Sequence, residues 1–80
     1  MVRATAMQVQ VRLFATFRIG RFTEQMRDYP AGTNIRKVLE ELAIAESEIG
    51  TVFVDFRHAE LDRELHDGAK LGIFPMVGGG

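Results

Sequence analysis

The spacing of apolar residues in the middle of the chain limits the fold more than any other sequence feature. The i, i+3, i+4, i+7 pattern of an amphipathic helix is occupied by Ile35, Val38, Leu39 and Leu42. Strand-like segments flank this region on both sides, and a single helical stripe can cover only one face of a sheet. The sequence therefore predicts an α+β domain in which one helix packs on one face of a mixed sheet.

The helix is predicted to begin directly after a turn. Proline and glycine favour turn conformations in the segment Pro30-Ala31-Gly32-Thr33. Threonine is a common N-cap, because its hydroxyl can accept a hydrogen bond from an amide of the first helical turn. We therefore expect Thr33 to cap the helix.

Four longer segments have the composition and alternation of β-strands. In residues 7–14 the side chains alternate with period two, so that Val9, Val11 and Leu13 face one side. Further strands are predicted at residues 22–29, 51–56 and 69–74, with a short one at 58–61. The first two strands have a short connection and should be antiparallel, whereas residues 18–21 are expected to form a loop. The predicted order is β-β-α-β-(β)-β, giving a sheet of four or five strands.

The same alternation predicts an aromatic surface on the side of the sheet that faces away from the helix. Strand parity directs Phe14, Phe53 and Phe74 toward that side. A contiguous apolar patch on a solvent-facing surface usually marks a binding site. A register shift of one residue would instead return these rings to the core. We expect a docking surface, with the buried alternative left open.

The C-terminal segment combines a proline with three glycines. Pro75 has no amide hydrogen, so the last strand should not continue as a central strand beyond Phe74. Glycines carry no Cβ, so the end Gly78-Gly79-Gly80 would be thin and would present an unhindered carboxylate. Another protein could activate this carboxylate with ATP; the alternative is a frayed end without a role. The expected organisation is a flexible arm at residues 1–6, a single domain at 7–76 and a flexible tail at 77–80.

Composition argues against several other classes of function. The net charge of −1 in 80 residues supplies no basic surface for nucleic acid. The absence of cysteine excludes disulfides, thiolate zinc sites and cysteine nucleophiles. No apolar run is long enough to cross a membrane, and we expect a cytoplasmic protein. A metal site is not expected either, because no zinc-binding spacing is formed by His58, His66, Asp62 and Asp67.

Several short segments, taken in order, resemble a known family. They are Val11-Arg12-Leu13-Phe14-Ala15 with Arg18, then Pro30-Ala31-Gly32-Thr33, Leu65-His66-Asp67-Gly68, and the stretch from Gly72 to Gly80. The set resembles the ubiquitin-like sulfur carriers of molybdopterin and thiamine biosynthesis, the MoaD/ThiS family. Its Leu-Phe-Ala element is most similar to the small subunit of molybdopterin synthase. The resemblance covers the chain from about Met7 to its last residue.

The resemblance implies a β-grasp fold and a protein substrate rather than an enzyme. It implies that Gly80 is adenylated by an ATP-dependent adenylyltransferase of the ubiquitin-activating type and then converted to a thiocarboxylate. The thiocarboxylate would donate sulfur to a precursor on a synthase subunit, and the likeness implies that this subunit acts in molybdopterin synthesis. No bound cofactor is implied, since the ATP is used by the activating enzyme. The implied site includes the tail glycines Gly78 and Gly79. The implied partner-binding residues are Phe14, Phe53, Phe74, Pro75, Met76 and Val77.

The sequence leaves alternative pathways and functions open. The chain departs from the family pattern at Asp55-Phe56, where Asn-Gly is frequent, as well as at Gly68-Ala69, at Pro75-Met76 and in its third glycine. These departures leave the pathway open among molybdenum or tungsten cofactor, thiamine and other products. A ubiquitin-like modifier joined to other proteins through Gly80 would share the same activation chemistry. A β-grasp interaction module with an inert tail is the third alternative.

Overall fold

The computed structural model describes residues 6–76 as a sheet with one α-helix on one face. The strands are β1 (Ala6–Leu13), β2 (Glu24–Pro30), β3 (Ile49–Val54), β4 (Arg57–His58) and β5 (Lys70–Pro75). The helix α1 spans Ile35–Glu41, and two 3₁₀ helices span Ala15–Arg18 and Glu46–Glu48. None of the helices in this described part is long and apolar enough to cross a membrane. Residues 1–5 and 77–80, which include most of the predicted arm and all of the predicted tail, lie outside the described residues.

The strands form a five-stranded mixed sheet in the order β2-β1-β5-β3-β4. The central strands β1 and β5 are parallel, with Gln10 opposite Lys70 and Leu13 opposite Ile73. β2 pairs with β1, and β3 pairs with β5, both in antiparallel fashion. A parallel central pair flanked by antiparallel strands, with one helix across it, is a β-grasp arrangement. The predicted fold class is confirmed.

The hydrophobic core lies between α1 and one face of this sheet. The inward residues of β1, which are Val9, Val11 and Leu13, are fully buried, as the alternation predicted. Burying such side chains supplies most of the favourable free energy of folding for a domain of this size. The helix contributes Ile35, Val38 and Leu39, and the other strands contribute Val52, Val54, Leu71 and Ile73. Leu42, predicted as the fourth helical core position, is only half-buried because it lies at the C-cap.

The predicted cap at Thr33 is wrong: the helix is capped by Asn34. The Asn34 side chain is 3.0 Å from the Lys37 amide nitrogen, from which it accepts a hydrogen bond. An N-cap residue immediately precedes the first helical residue, which here is Ile35. The Thr33 hydroxyl instead donates to the carbonyl of Pro30 at 2.7 Å and closes the preceding turn.

Strand limits near the first connection differ from those predicted. β1 begins at Ala6, inside the predicted arm, because Ala6 pairs with Pro30 of β2. The next strand begins at Glu24 rather than residue 22, because its partner strand ends at Leu13. The connection contains a 3₁₀ helix before the predicted loop, anchored by the buried ring of Phe17.

The limits of the last three strands also differ from prediction. β3 ends at Val54, so Asp55 and Phe56 form a turn, and β4 spans Arg57–His58 rather than residues 58–61. β5 reaches Pro75, one residue beyond the predicted end. This extension is possible because pairing of β5 with β1 stops at Ile73, whereas pairing with β3 continues. Proline is tolerated there since it removes no hydrogen bond to β1.

Candidate functional site: an aromatic groove and the root of the tail

The three predicted outward phenylalanines meet on the sheet face opposite the helix. The Phe14 and Phe74 rings are stacked, with centroids 3.9 Å apart and planes 8° from parallel. The Phe53 ring meets Phe74 edge-on, with a centroid distance of 5.6 Å. All three side chains are half-buried, so they are neither core residues nor fully exposed. We call Phe14, Phe53 and Phe74 the aromatic cluster.

Gly72 forms the floor beneath this cluster. It lies on β5 opposite Phe53 of β3 and Arg12 of β1. A Cβ at this position would lie 3.5 Å from Phe14 Cε1 and 3.7 Å from Phe74 Cε1, which are ordinary contact distances. The missing side chain therefore leaves space between the rings rather than relieving a clash. Local sequence patterns do not reveal this role of Gly72, because the rings above it meet only once β1, β3 and β5 are paired.

The space above Gly72 is an open groove of about 510 Å³. Besides the aromatic cluster and Gly72, its lining comprises Gln10, Arg12, Glu24, Phe56, Lys70 and Leu71. Two arginines lie near the Phe14 ring. The guanidinium carbon of Arg12 is 6.0 Å from the ring centroid, and that of Arg18 is 5.6 Å from it. Such positions allow cation–π attraction between the guanidinium groups and the ring. The face therefore combines apolar surface with a basic border.

The root of the tail is anchored beside β3. The Met76 amide donates a hydrogen bond of 2.9 Å to the carbonyl of Glu48. Gly50 is required for this approach, because a Cβ there would lie only 2.6 Å from the carbonyl oxygen of Pro75. The strand register shifts between Ile49 and Thr51, which places Gly50 in a β-bulge. Sequence reasoning missed Gly50, since only the pairing of β3 with β5 reveals the contact.

The predicted partner-binding residues at this end are only partly described. Pro75 is half-buried, and Met76 has 61% of its surface exposed. Val77, Gly78, Gly79 and Gly80 lie outside the described residues. Phe74, whose ring contacts both other rings of the aromatic cluster, thus lies two residues before Met76 at the root of the predicted tail.

An ion pair fixes the turn at the edge of the groove. The Asp55 carboxylate lies 2.6 Å from Nε2 of His66 and accepts a 3.0 Å hydrogen bond from the Lys70 amide. Nδ1 of His66 lies 2.9 Å from the carbonyl oxygen of Asp67. Both nitrogens of the ring thus face acceptors, which favours the doubly protonated imidazolium. We call the contacts of Asp55, His66 and Asp67 the turn clasp.

The turn clasp shifts the titration of both charged groups. The hydrogen bond to Asp55, aided by the Asp67 carbonyl, raises the pKa of His66. The hydrogen bond from His66, aided by the Lys70 amide, lowers the pKa of Asp55.

Within residues 6–76 no group of three potential metal ligands occurs, and Asp62 pairs with Arg36. The clasp is thus an ion pair between two loops.

The comparisons with known proteins agree on one family. The ThiS family model matches residues 11–80. A Pyrococcus furiosus protein described as a candidate molybdopterin converting factor, subunit 1, is 30% identical, with a TM-score of 0.73, and the match covers 89% of this chain and 99% of that one. The sequence has no significant match among curated proteins.

Two structures from Haloferax volcanii extend the likeness. The HVO 2177 protein is 26% identical with a TM-score of 0.74, over 94% of this chain and 88% of that one. Small archaeal modifier protein 1 shares the fold at 18% identity with a TM-score of 0.72, over 89% of this chain and 99% of that one.

The family match indicates a carrier protein rather than an enzyme. MoaD/ThiS proteins are small non-catalytic carriers that work with activating enzymes and synthase subunits. The β-grasp sheet, the match over residues 11–80 and the structural likeness all lead to the same conclusion. The chain belongs to the ThiS family of ubiquitin-like sulfur carriers.

Proposed function

We propose that this chain carries sulfur as a thiocarboxylate on Gly80. The observation that supports this most directly is the family match, which extends through the three terminal glycines to residue 80. In the proposed reaction a carboxylate oxygen of Gly80 attacks the α-phosphate of ATP, and pyrophosphate leaves. Hydrosulfide then adds to the carbonyl carbon of the acyl adenylate, AMP leaves with the bonding electron pair, and the product is the thiocarboxylate. Adenylation is needed because a carboxylate is a poor acyl donor until it carries a good leaving group.

The partner in the first step is an ATP-dependent adenylyltransferase of the ubiquitin-activating type. We propose that it docks on the aromatic cluster and takes the tail, including Pro75, Met76 and Val77, into its active site. Support comes from the position of Phe74, one residue before Pro75 on the strand that leads to the tail. Glycines would pass a narrow channel that side chains would obstruct. ATP is then a substrate of the activating enzyme and not a cofactor of this chain. We propose that the adenylation takes place in the cytoplasm.

The proposed sulfur acceptor is a pterin precursor on a molybdopterin synthase subunit. Support comes from the Leu13-Phe14-Ala15 element and from the 30% identity to a protein described as a candidate molybdopterin converting factor, subunit 1. Delivery to thiamine or to another product would use the same thiocarboxylate and a different acceptor subunit.

The test is ATP–pyrophosphate exchange with the cognate activating enzyme. The intact chain should support exchange, and deletion of Gly79 and Gly80 should abolish it without loss of folding, since no core residue is removed. Adding one bulky residue after Gly80 should have the same effect. A matched control adds the same residue before Met1. Exchange that continues with a blocked tail would contradict activation at Gly80.

A mass measurement distinguishes the carrier from a protein modifier. Replacement of one carboxylate oxygen by sulfur adds about 16 Da to the chain, in line with acyl transfer from an adenylate to a sulfur nucleophile. A modifier would instead be recovered as an amide between Gly80 and a lysine of another protein. Isolation of the chain from its own cells should therefore give the thiocarboxylate mass. Recovery of amide-linked conjugates without any thiocarboxylate would instead favour the protein modifier.

A further inference from the structure

The turn between β3 and β4 holds an aromatic ring in an unusual position. Asp55 and Phe56 have φ angles of 53° and 70°, both in the left-handed region. Two-residue hairpin turns of this kind favour Asn-Gly or Asp-Gly, because glycine adopts positive φ without steric cost. Phe56 nevertheless occupies the second position, and 81% of its surface is exposed. A bulky side chain at positive φ costs free energy, and such strained residues cluster at functional sites.

Phe56 lies on the border of the groove that contains the aromatic cluster. The ammonium of Lys70 lies 5.6 Å from the centroid of its ring. The turn itself is held firmly, since the Asp55 amide donates to the Lys70 carbonyl at 2.8 Å and the turn clasp fixes the Asp55 side chain. The ring is therefore presented from a rigid support at a defined distance from the groove.

The charges around the groove are mainly positive once internal ion pairs are counted. Of the two nearby carboxylates, Glu24 pairs with Arg12 at 2.8 Å and Asp55 pairs with His66. Lys70 and Arg18, by contrast, take part in none of the salt bridges recorded for residues 6–76. An occupant that complements this border must therefore carry negative charge next to apolar surface.

We propose that Phe56 and Lys70 form an anchor for an acidic, apolar segment of the activating enzyme, which covers Phe56 and places a carboxylate on the Lys70 ammonium. This inference rests on the proposed function, because it takes the activating enzyme as the occupant. It adds a contact that is separate from the tail. The anchor acts on affinity and leaves the reacting carboxylate untouched.

The test measures ATP–pyrophosphate exchange as a function of the concentration of this chain. Phe56→Gly should raise KM about tenfold with kcat unchanged, the effect expected for loss of one anchoring aromatic. Lys70→Glu should also raise KM, and Lys70→Gln should have a smaller effect because it removes the charge without reversing it. The matched controls are Lys37→Glu, on the helix side, and Ile19→Ala, an exposed apolar residue that does not line the groove. Both controls should keep the KM of the unaltered chain.

Folding does not obscure this test. Glycine suits the positive φ of position 56, so the thermal midpoint of Phe56→Gly should not fall, and Phe56→Asn provides a second variant that tolerates this conformation. An unchanged KM for both Phe56 variants and for Lys70→Glu would overturn the anchor while leaving the carrier function in place. Absence of exchange with the unaltered chain would count against the proposed function itself. A dimer of the unaltered chain that Phe56→Gly dissociates, seen by sedimentation, would make a second copy the occupant and overturn the proposal.

Discussion

At the scale of single residues, a close backbone approach near the tail depends on Gly50. A Cβ there would lie 2.6 Å from the Pro75 carbonyl oxygen and 3.0 Å from the Met76 Cα. Both neighbours are backbone atoms, so no side-chain rotation can relieve the clash. Gly72 differs, because its nearest neighbours are ring atoms at ordinary contact distances.

Gly50→Ala should therefore displace the root of the tail. We expect a loss of about 1–3 kcal/mol in unfolding free energy, as is usual when added atoms force the backbone to move. The amide signals of Met76 and of Glu48 should shift in NMR spectra, because the hydrogen bond from the Met76 amide to the Glu48 carbonyl is strained or lost. Gly72→Ala is the matched control and should cost clearly less. Equal stability losses for the two variants would contradict the importance of the Gly50 contact.

At the scale of elements, the short helix α1 depends on its surroundings. Seven residues are fewer than an isolated helix needs to persist in water. Its first amides are nevertheless all paired: Ile35 donates to the Arg63 carbonyl, Arg36 to the Leu61 carbonyl, and Lys37 to the Asn34 side chain. The connection between β4 and β5 thus forms part of the helix start, alongside the buried apolar stripe.

Asn34→Ala should remove the side-chain cap and cost about 1 kcal/mol of unfolding free energy. Hydrogen exchange of the Lys37 amide should accelerate, because that amide loses its acceptor. Thr33→Ala is the control: it removes the bond to the Pro30 carbonyl and should leave exchange at Lys37 unchanged. Faster exchange at Lys37 in Thr33→Ala alone would restore threonine as the cap.

At the scale of the whole molecule, the turn clasp connects parts of the sheet that lie far apart in the chain. His66 holds the β3–β4 turn through Asp55, while the Asp67 carboxylate accepts a 2.8 Å hydrogen bond from the Gln8 amide of β1. Gly68 also donates to the Gln8 carbonyl at 2.7 Å. One loop therefore joins the edge of the groove to the central strand β1.

The clasp should make stability depend on pH. Because the folded pKa of His66 is raised above its usual 6.5, its contribution is complete below that value and is lost as pH rises through the folded pKa. Because the pKa of Asp55 is lowered below 3.8, its contribution is complete above that value and is lost as pH falls through the folded pKa. Denaturant unfolding should show that the unaltered chain loses more stability than His66→Gln between pH 6 and pH 9, a range chosen from the usual histidine pKa of about 6.5.

A double-mutant cycle provides the control for this prediction. In an Asp55→Asn background, His66→Gln should change the pH dependence much less, since the carboxylate partner is already absent. Asparagine tolerates the positive φ of position 55, so the turn should be kept. An equal effect of His66→Gln in both backgrounds would show that the ion pair is not the cause.

Local sequence patterns were sufficient to predict the main helix, the strands and the faces they bury, although not their limits. The alternation in β1 and the helical spacing around Val38 and Leu39 involve only residues that are close in sequence. Such local periodicity can therefore be recognised before the fold is known. It also placed Phe14, Phe53 and Phe74 on one face, and the family motifs indicated the β-grasp topology. How these elements contact one another could be learned only from the folded chain. Three contacts form only where strands or loops distant in the chain come together: Gly50 with Pro75, Asp55 with His66, and the ring of Phe56 with Lys70. The cap at Asn34 was missed because the sequence pattern does not define the first helical residue to within one position.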